Sequence, residues 1–318
     1  MKAMVLCAGL GTRLRPLTHR IPKPLVPAPG EPLVFHTLRG LARSGVSLCV
    51  INLHHLPDQV RAAAGHAFEG MDIAYSEEPD ILGPTGSLRK VVDTFGRDPF
   101  FVVNGDINAH VDFAAMMDFH KRHGASLTMA AKTGVPESPL NALGFDAHTR
   151  LRQVWDQPAW PGPALERGIN TGVFIYEPDL IRNFVPARGF YGFRDDFIPA
   201  LFAADVPVHV FPYRGYWSDI GNADAYLEFL RDALDGRVPG LAGGHFVSGD
   251  ARIHSGAHLA PPCYIASGCM VHDGARIGPY AVLGAHAIAA RGAVARHCLI
   301  APHEAVPEAA HIEHEIFL

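Results

Sequence analysis

Directly after its first apolar run, Met4-Val5-Leu6-Cys7-Ala8, the chain reads Gly9-Leu10-Gly11-Thr12-Arg13-Leu14-Arg15, followed by Pro22-Lys23-Pro24. Gly9 and Gly11 permit backbone conformations and close approaches that a side chain would block. Arg13, Arg15 and Lys23 set cationic groups beside that bare backbone. Backbone N–H groups plus fixed cations suit a polyanion, and the commonest small one is a nucleoside triphosphate. The third glycine of G-x-G-x-x-G is missing, since Leu14 stands in its place, and no G-K-[ST] follows, so neither the dinucleotide nor the Walker loop is present.

The elements that must hold this loop are legible in the flanking text. "MKAMVLCA", "SLCVINL", "MDIAYS" and "PFFVVNGD" read as short strands, and "PLVFHTLRGLARSG", "LPDQVRAAAGHAF" and "PTGSLRKVVDTF" as amphipathic helices closed by Gly45 and Gly96 in two cases. Alternation of this kind predicts a mostly parallel sheet covered on both faces, with ligands at the carboxyl ends of its strands. Gly9 to Arg13 and Asn104-Gly105-Asp106 each follow a strand, so both are expected on that edge. Past residue 140 the pattern loosens. "ALGFDAHTRLRQVWDQP", "INTGVFIYEPD" and "VPVHVFPYRGYWSDIG" read as strands, with helices near 194–204 and 222–236, completing one domain over 1–236.

From residue 247 the rhythm changes. Val247, Ile253, Leu259, Ile265, Val271, Ile277 and Leu283 recur every six residues, and Ala251, Ala257, Cys263, Cys269, Ala275 and Ala281 stand two positions before the next of them. A period of six fits neither a helix nor an isolated strand; it is the mark of a triangular β-helix. The text resembles left-handed hexapeptide-repeat helices, with about three coils over 247–306. After Leu283 the aliphatic position passes to Ala289, Ala295 and Ala301, so the last coil is expected to be distorted or capped. Residues 237–318 are therefore read as a second domain.

Composition narrows the function classes. A length of 318 residues exceeds one typical domain, and 48% apolar with 19% charged residues suits a globular chain with a real core. The net charge of −5 disfavours a general nucleic-acid binder but leaves room for a local basic cluster. No stretch is apolar for long enough to span a membrane, and "MKAMVLCAG" lacks the features of a secretion signal. The five scattered cysteines form no CxxC pair and read as buried thiols in a reducing, cytoplasmic compartment. The 19 histidines show no HExxH and no tight cluster, which reads as solvated or structural use.

The string from Gly9 to Thr18, continued by Pro22-Lys23-Pro24, resembles the signature of the sugar-1-phosphate nucleotidyltransferases, or nucleotide-sugar pyrophosphorylases, over residues 1 to about 236. The resemblance implies an α/β, Rossmann-like (GT-A-like) mixed sheet carrying a C-terminal left-handed parallel β-helix, as in several branches of that family. It implies the reaction of an NTP with a sugar-1-phosphate to an NDP-sugar and pyrophosphate. It assigns the triphosphate to backbone around Leu6, Ala8, Gly9, Gly11 and Thr12, the departing pyrophosphate to Arg13, and charge at the α-phosphate to Lys23. Asn104-Gly105-Asp106 resembles the N-[GS]-D site whose aspartate binds Mg²⁺. "WSDIG" resembles W-x-D-[IV]-G, which makes Asp219 the second carboxylate; alone, Asp219 reads equally as a turn residue.

"SEEPDILGPTGSLRKV" resembles E-x-x-L-G-T-A-G-x-L, with Pro84 for Thr and Thr85 for Ala, so Gly83 and Gly86 are expected to let backbone read the base; the purine-using branch often carries this segment, which favours GTP. "NTGVFIYEP" resembles the strand whose Asn170 contacts the sugar, with Thr171 beside it, and Gly144 takes the place of a glycine of close sugar approach. Asp156 stands ready for a sugar hydroxyl. The departure is Gln157, where most relatives have the lysine that neutralises the sugar phosphate; Arg167 or Arg194 is left to supply that charge, unless the acceptor is unusual.

The expectation is thus a mannose-1-phosphate guanylyltransferase-like enzyme. The alternatives within the class are a uridylyl- or thymidylyltransferase on glucose-1-phosphate or a transferase on an amino-sugar phosphate. Outside it stand a non-catalytic, nucleotide-sugar-sensing paralogue, against which Arg13, Lys23 and Asp106 all argue, and acyl transfer by the hexapeptide domain. The last needs longer insertions than this repeat has, and His254 and His272 read as exposed corner residues. The repeat is expected to mediate homo-oligomerisation.

Overall fold

The computed structural model describes residues 1–135, 142–155, 157–158 (backbone only), 160–241 and 243–318. In chain order the first elements are β1 (Lys2–Leu6), α1 (Leu17–Arg20), α2 (Leu33–Arg43), β2 (Leu48–Leu53), α3 (Pro57–Ala64), β3 (Ala67–Phe68) and β4 (Met71–Glu77). Next come α4 (Gly83–Phe95), β5 (Phe100–Asn104), β6 (Ile107–Ala109), α5 (Phe113–His123), β7 (Leu127–Lys132), β8 (Ala142–Phe145), β9 (Leu151–Val154) and β10 (Gln157–Pro158). They are followed by β11 (Glu166–Tyr176), α6 (Pro178–Phe184), α7 (Ile198–Ala203), β12 (Val208–Tyr213), β13 (Trp217–Asp219) and α8 (Ala223–Leu234). The chain divides into two compact units, Met1–Leu10 with Thr37–Trp217, and Gly11–His36 with Ser218–Leu318.

The first unit is built on a sheet of order β10-β9-β8-β11-β5-β1-β2-β4-β3, with β7 paired to β11 and β12 to β7. Only part of it is parallel: β5-β1-β2-β4 and the β7–β12 pair run parallel, whereas β11 lies antiparallel to β5, β7 and β8. The expectation of a mostly parallel sheet therefore holds for the first half of the unit and fails for the second. Connectivity contributes: β8, β9 and β10 follow one another as hairpin partners, which return the chain antiparallel, where the first half uses helical crossovers. The central strands read as continuous apolar runs because both faces are covered; Phe100, Phe101, Val102 and Val103 are all 0–1% exposed.

One face carries the large core of Leu88, Val92 and Phe95 from α4 with Met129, Phe174, Tyr176, Phe197 and Leu201. The spacing of Leu88, Val92 and Phe95 places all three on one side of α4, and Phe95 stacks on Phe100 at 4.0 Å. α4 stops at Gly96, whose φ of 73° is open to glycine at little cost. The Asp112 carboxylate accepts the Ala115 N–H at 2.9 Å and starts α5, a cap that contributes about 1 kcal/mol.

In the second unit, strands from Phe246 to Phe317 stack in three parallel sheets of five, four and four strands, a left-handed β-helix. The expected aliphatics point inward: Ile265, Val271, Ile277 and Leu283 share one buried core with Ala289 and Ala295. The register then corrects the sequence reading. Val247 pairs with Ile265 and Ile265 with Leu283, eighteen residues apart, but Leu283 pairs with Ile300, Ala289 with Val306 and Ala295 with Ile312, seventeen apart. Ile300, not Ala301, fills the inward position, because the corner containing His297, at φ 45°, is one residue shorter. Counted with the shortened corners, the repeat continues beyond 306 to Phe317, giving four coils and a further strand where three coils were expected.

The β-helix is fastened within its unit to α8 and to the segment 11–36. Tyr280 donates its hydroxyl to Asp235 at 2.9 Å and lies 5.3 Å beneath the Arg231 guanidinium, and Arg20 pairs with Glu304. Val282 and Leu299, which alternate with the inward residues of their strands, are nevertheless 1% and 0% exposed. All five cysteines are free and buried. Among the described residues no helix is long and apolar enough to cross a membrane.

Candidate functional site

In the first unit, the carboxyl ends of β1 and β5 lie side by side, Leu6 in register with Asn104. Beyond them the two segments touch: the Gly105 N–H donates to the Leu6 carbonyl at 2.9 Å. A Cβ on Gly105 would stand 2.7 Å from Cys7 Sγ and 2.8 Å from the Leu6 oxygen, so only glycine fits between the apolar strand and Asp106. Asp106 follows at once, half-buried, near enough to Cys7 to help raise its pKa. Burial is the main cause of that rise, with Cys49 the next, so Cys7 is held as a neutral thiol and is no nucleophile.

Across the same edge, β11 carries a bulge between Asn170 and Phe174 in its pairing with β7. Bulges re-aim the chain locally, and this one brings Gly172 against Asn104. Gly172 has φ 78°, and a Cβ there would meet Asn104 Nδ2 at 2.7 Å; the Asn170 carboxamide oxygen accepts the Gly172 N–H at 3.1 Å. Trp217 Nε1–H donates to the Thr171 carbonyl at 2.9 Å and pins the bulge.

These residues open onto a cavity of about 300 Å³ lined by Leu6, Asn104, Asn170, Trp155, Phe174, Tyr176 and Phe190, with Arg194 and Asp195 on the same wall. Arg194 and Asp195 sit in a π-helical turn, Phe193–Phe197, the widened kind of turn that recurs at functional sites. The Arg194 guanidinium stacks 5.0 Å from the centroid of the Trp155 ring. It is the only cation among the described lining residues. Two carboxamides and one guanidinium in an aromatic cup can hydrogen-bond hydroxyls and hold an anion.

In the second unit, Gly11 at φ 61° opens a short turn, Thr12–Leu14, and the Thr18 hydroxyl donates to the Gly11 carbonyl at 2.8 Å. A Cβ on Gly11 would press on Thr18 Cγ2 at 2.9 Å and on Lys23 Cβ at 3.3 Å, so the glycine is what lets the loop fold over Lys23, itself only 7% exposed. Leu14 and Leu17 bury beneath while Thr12, Arg13 and Arg15 stay exposed. Gly221, after Asp219, faces Arg13: its Cβ would lie 3.2 Å from Arg13 Nη1 and 3.5 Å from Asp219 Oδ1. Arg13 and Asp219 thus share one small neighbourhood.

Several expected contacts fall differently. Thr171 is 1% exposed and donates its hydroxyl to the Ala130 carbonyl, so its side chain serves the sheet and not a sugar. Gly144 is required by packing, since a Cβ would meet Ala164 Cβ at 2.8 Å, and it is absent from the cavity wall. Gly83 and Gly86 make their close approach to the chain itself: Tyr191 N–H donates to Leu82 at 2.8 Å, and a Cβ on Gly83 would meet the Tyr191 carbonyl at 2.7 Å. Arg167 is exposed on β11 and away from the cavity wall. Asp156 lies outside the described residues. Sequence reasoning missed Trp155, Phe190 and the glycines 105, 172 and 221 as site-forming positions; only the three glycines left a trace, inside motifs already quoted.

Residues 2–236 match a family model described as nucleotidyl transferase. The UTP–glucose-1-phosphate uridylyltransferase of Synechocystis is 32% identical over 254 residues, 75% of this chain and 64% of that protein. The mannose-1-phosphate guanyltransferases of Schizosaccharomyces pombe and Aspergillus fumigatus are 31% and 32% identical, each over 71% of this chain and 62% of its own length. The chain thus spans less than two thirds of the length of these relatives. The crystal structure of HddC from Yersinia pseudotuberculosis superposes with a TM-score of 0.62 at 21% identity, over 73% of this chain and 98% of that one, a likeness of fold. A glycine-loop strand edge and a match that runs through almost the whole non-repeat part of the chain agree, and the chain belongs to the nucleotidyl transferase family.

Proposed function

We propose that the chain joins an NTP and a sugar-1-phosphate into an NDP-sugar with release of pyrophosphate, and that GTP and mannose-1-phosphate are its preferred pair. The observation that carries this reading is the aromatic cavity in which Asn104 and Asn170 offer hydrogen bonds and Arg194 a positive charge. Relatives named for mannose-1-phosphate guanylyl transfer support the choice of substrates. The uridylyltransferase among the relatives favours a second reading, UTP with glucose-1-phosphate.

The chemistry needs little beyond positioning and charge. An ionised oxygen of the sugar phosphate forms a bond to the α-phosphorus as the bond to the β-phosphate oxygen breaks, and pyrophosphate leaves with the electron pair. No proton has to move, so no acid or base of matched pKa is required; the barrier is the approach of two anions. Arg13 is assigned to the leaving pyrophosphate, Lys23 to the α-phosphate, and backbone at Ala8, Gly9, Gly11 and Thr12 to the phosphate oxygens. Leu6 borders the sugar cavity, with Gly83 and Gly86 toward the base. Arg194 takes the part that a lysine at 157 plays in relatives.

Asp106 in the first unit and Asp219 in the second are each assigned as a hard oxygen donor. Carboxylate oxygens of this kind fit Mg²⁺, which would draw on phosphates and water as well and, when bound, would neutralise phosphate charge.

Each NTP incubated with a panel of sugar-1-phosphates, with pyrophosphate release as readout, tests the reading. The highest kcat/KM is expected for GTP with mannose-1-phosphate, and release from no pair at all defeats it. We further assign the β-helix to self-association: Phe246, 47% exposed and stacked on Tyr264, opens one end and the Ile316–Phe317 strand edge the other. Sedimentation of the full-length chain is expected to show an oligomer, and monomer alone at every concentration would dismiss that role. Five buried free thiols suit a reducing cytoplasm.

A further inference from the structure

We infer that Asn52 is a positioning residue that sets the distance between the two nucleotide-handling backbone segments of the first unit, the turn after β1 and the loop entering α4. Asn52 sits near the carboxyl end of β2, in register with Leu6 on one side and Ser76 on the other, and is 2% exposed. Its carboxamide is occupied at both ends. Oδ1 accepts the Cys7 N–H at 2.6 Å, two residues before Gly9. Nδ2 donates to Glu78 Oε1 at 2.9 Å and to Ser87 Oγ at 3.2 Å. Because the Cys7 partner is an N–H, the oxygen must face β1 and the amino group must face α4; the orientation is dictated by chemistry.

Both arms continue into the loop. The other Glu78 oxygen accepts the Leu82 N–H at 3.2 Å, and Ser87 Oγ donates to the Gly83 carbonyl at 2.7 Å. The Glu78 backbone is held as well, its N–H on the Leu53 carbonyl at 2.8 Å and its carbonyl against His54 Nδ1 at 2.7 Å. Glu78 is 3% exposed, and the side-chain oxygens are met by neutral donors. No other side chain suits position 52. Aspartate has no N–H for Glu78, glutamine is one methylene too long, and leucine leaves a buried N–H and a buried carboxylate short of partners, a state that costs more than the bonds are worth when made. The network touches no reacting atom. Its output is the relative placement of Cys7–Gly9 and Leu82–Gly86, and the inference rests on the proposed nucleotide role of those segments.

The test is a pair of reciprocal substitutions. Asn52→Asp keeps the acceptor for Cys7 but sets a carboxylate against Glu78, while Glu78→Gln supplies a donor that can answer it and still accept from Leu82. Asn52→Asp is expected to raise KM and the calorimetric Kd for the NTP about tenfold or more, the cost of one buried unpaired group, with KM for the sugar phosphate within about twofold. Adding Glu78→Gln is expected to bring both values back to within about threefold of wild type. Ser87→Ala, which loosens one arm only, is expected to raise the NTP KM about threefold and guards against an Asn52→Asp chain that does not fold. Unchanged NTP affinity in folded Asn52→Asp or Ser87→Ala, equal losses for both substrates, or no recovery in the double variant overturns the inference. A wild-type chain that binds no NTP defeats instead the functional reading beneath it.

Discussion

Asp106→Ala is expected to lower kcat for sugar-nucleotide synthesis by at least about 10³-fold, with excess magnesium unable to restore it. The size follows from what opposes the reaction. Two phosphorylated molecules must come within bonding distance, and fixed positive charge has to offset their repulsion in a cleft of low dielectric. Asp106 is the carboxylate assigned to hold the cation, on the turn where Gly105 closes against the Leu6 carbonyl.

The fold is expected to survive, because the side chain is half-buried and the residues that anchor the turn are its neighbours, Ile107 at 3% and Asn108 at 5% exposed. Thermal unfolding should therefore shift little while turnover collapses. Asp106→Asn, which keeps the shape and loses the charge, is expected to be nearly as impaired. Pyrophosphate release measured over a magnesium titration checks both, and undiminished synthesis by either variant would refute the assignment.

The second large effect belongs to Arg194. Arg194→Ala is expected to raise KM for the sugar-1-phosphate about 10- to 100-fold, the loss of one charge-assisted hydrogen bond, while KM for the NTP stays within about twofold. The chain has Gln157 where the family resemblance implies a lysine, and the described lining of the cavity offers one cation, the guanidinium over Trp155 at 5.0 Å. Stacking fixes the plane of the guanidinium and lowers the cost of ordering it, which a flexible lysine does not match. Arg194→Lys is accordingly expected to recover only part of the affinity. Steady-state kinetics with one substrate saturating separates the two KM values. Equal rises for both substrates, or none for the sugar phosphate, would remove Arg194 from the role.

Much of the nucleotidyl transferase region was legible because it depends on local backbone demands. Gly11 needs a positive φ, Gly105 sits where two strand ends touch, and the apolar runs of β1 and β5 are buried on both faces; each leaves a mark within a few residues of itself. The β-helix was legible for a similar reason, since every coil repeats the same inward position until the corner at His297 drops one residue and moves the core position from Ala301 to Ile300. Periodicity reveals a repeat but not a deletion within it, because alanine and isoleucine both pass as inward residues.

Other surroundings were illegible because long-range pairing decides them. Thr171 donates its hydroxyl to Ala130, forty-one residues away, and Gly83 and Gly86 pack against the segment 189–191 of the same chain. Asn52 gave no signal at all: within the run SLCVINL it is one polar residue of an apolar strand until β1, β2 and β4 stand in register and bring Cys7, Glu78 and Ser87 around it.

The sequence by itself determined the family resemblance, through glycines and cations whose meaning is local, and the presence of a β-helix, through its period. Only the tertiary structure decided which side chains face the aromatic cavity, which glycines serve the protein's own packing, and which buried amide ties two loops together. The physical reason is that hydrogen bonds and close contacts between distant segments depend on strand register, and register is a property of the assembled sheet.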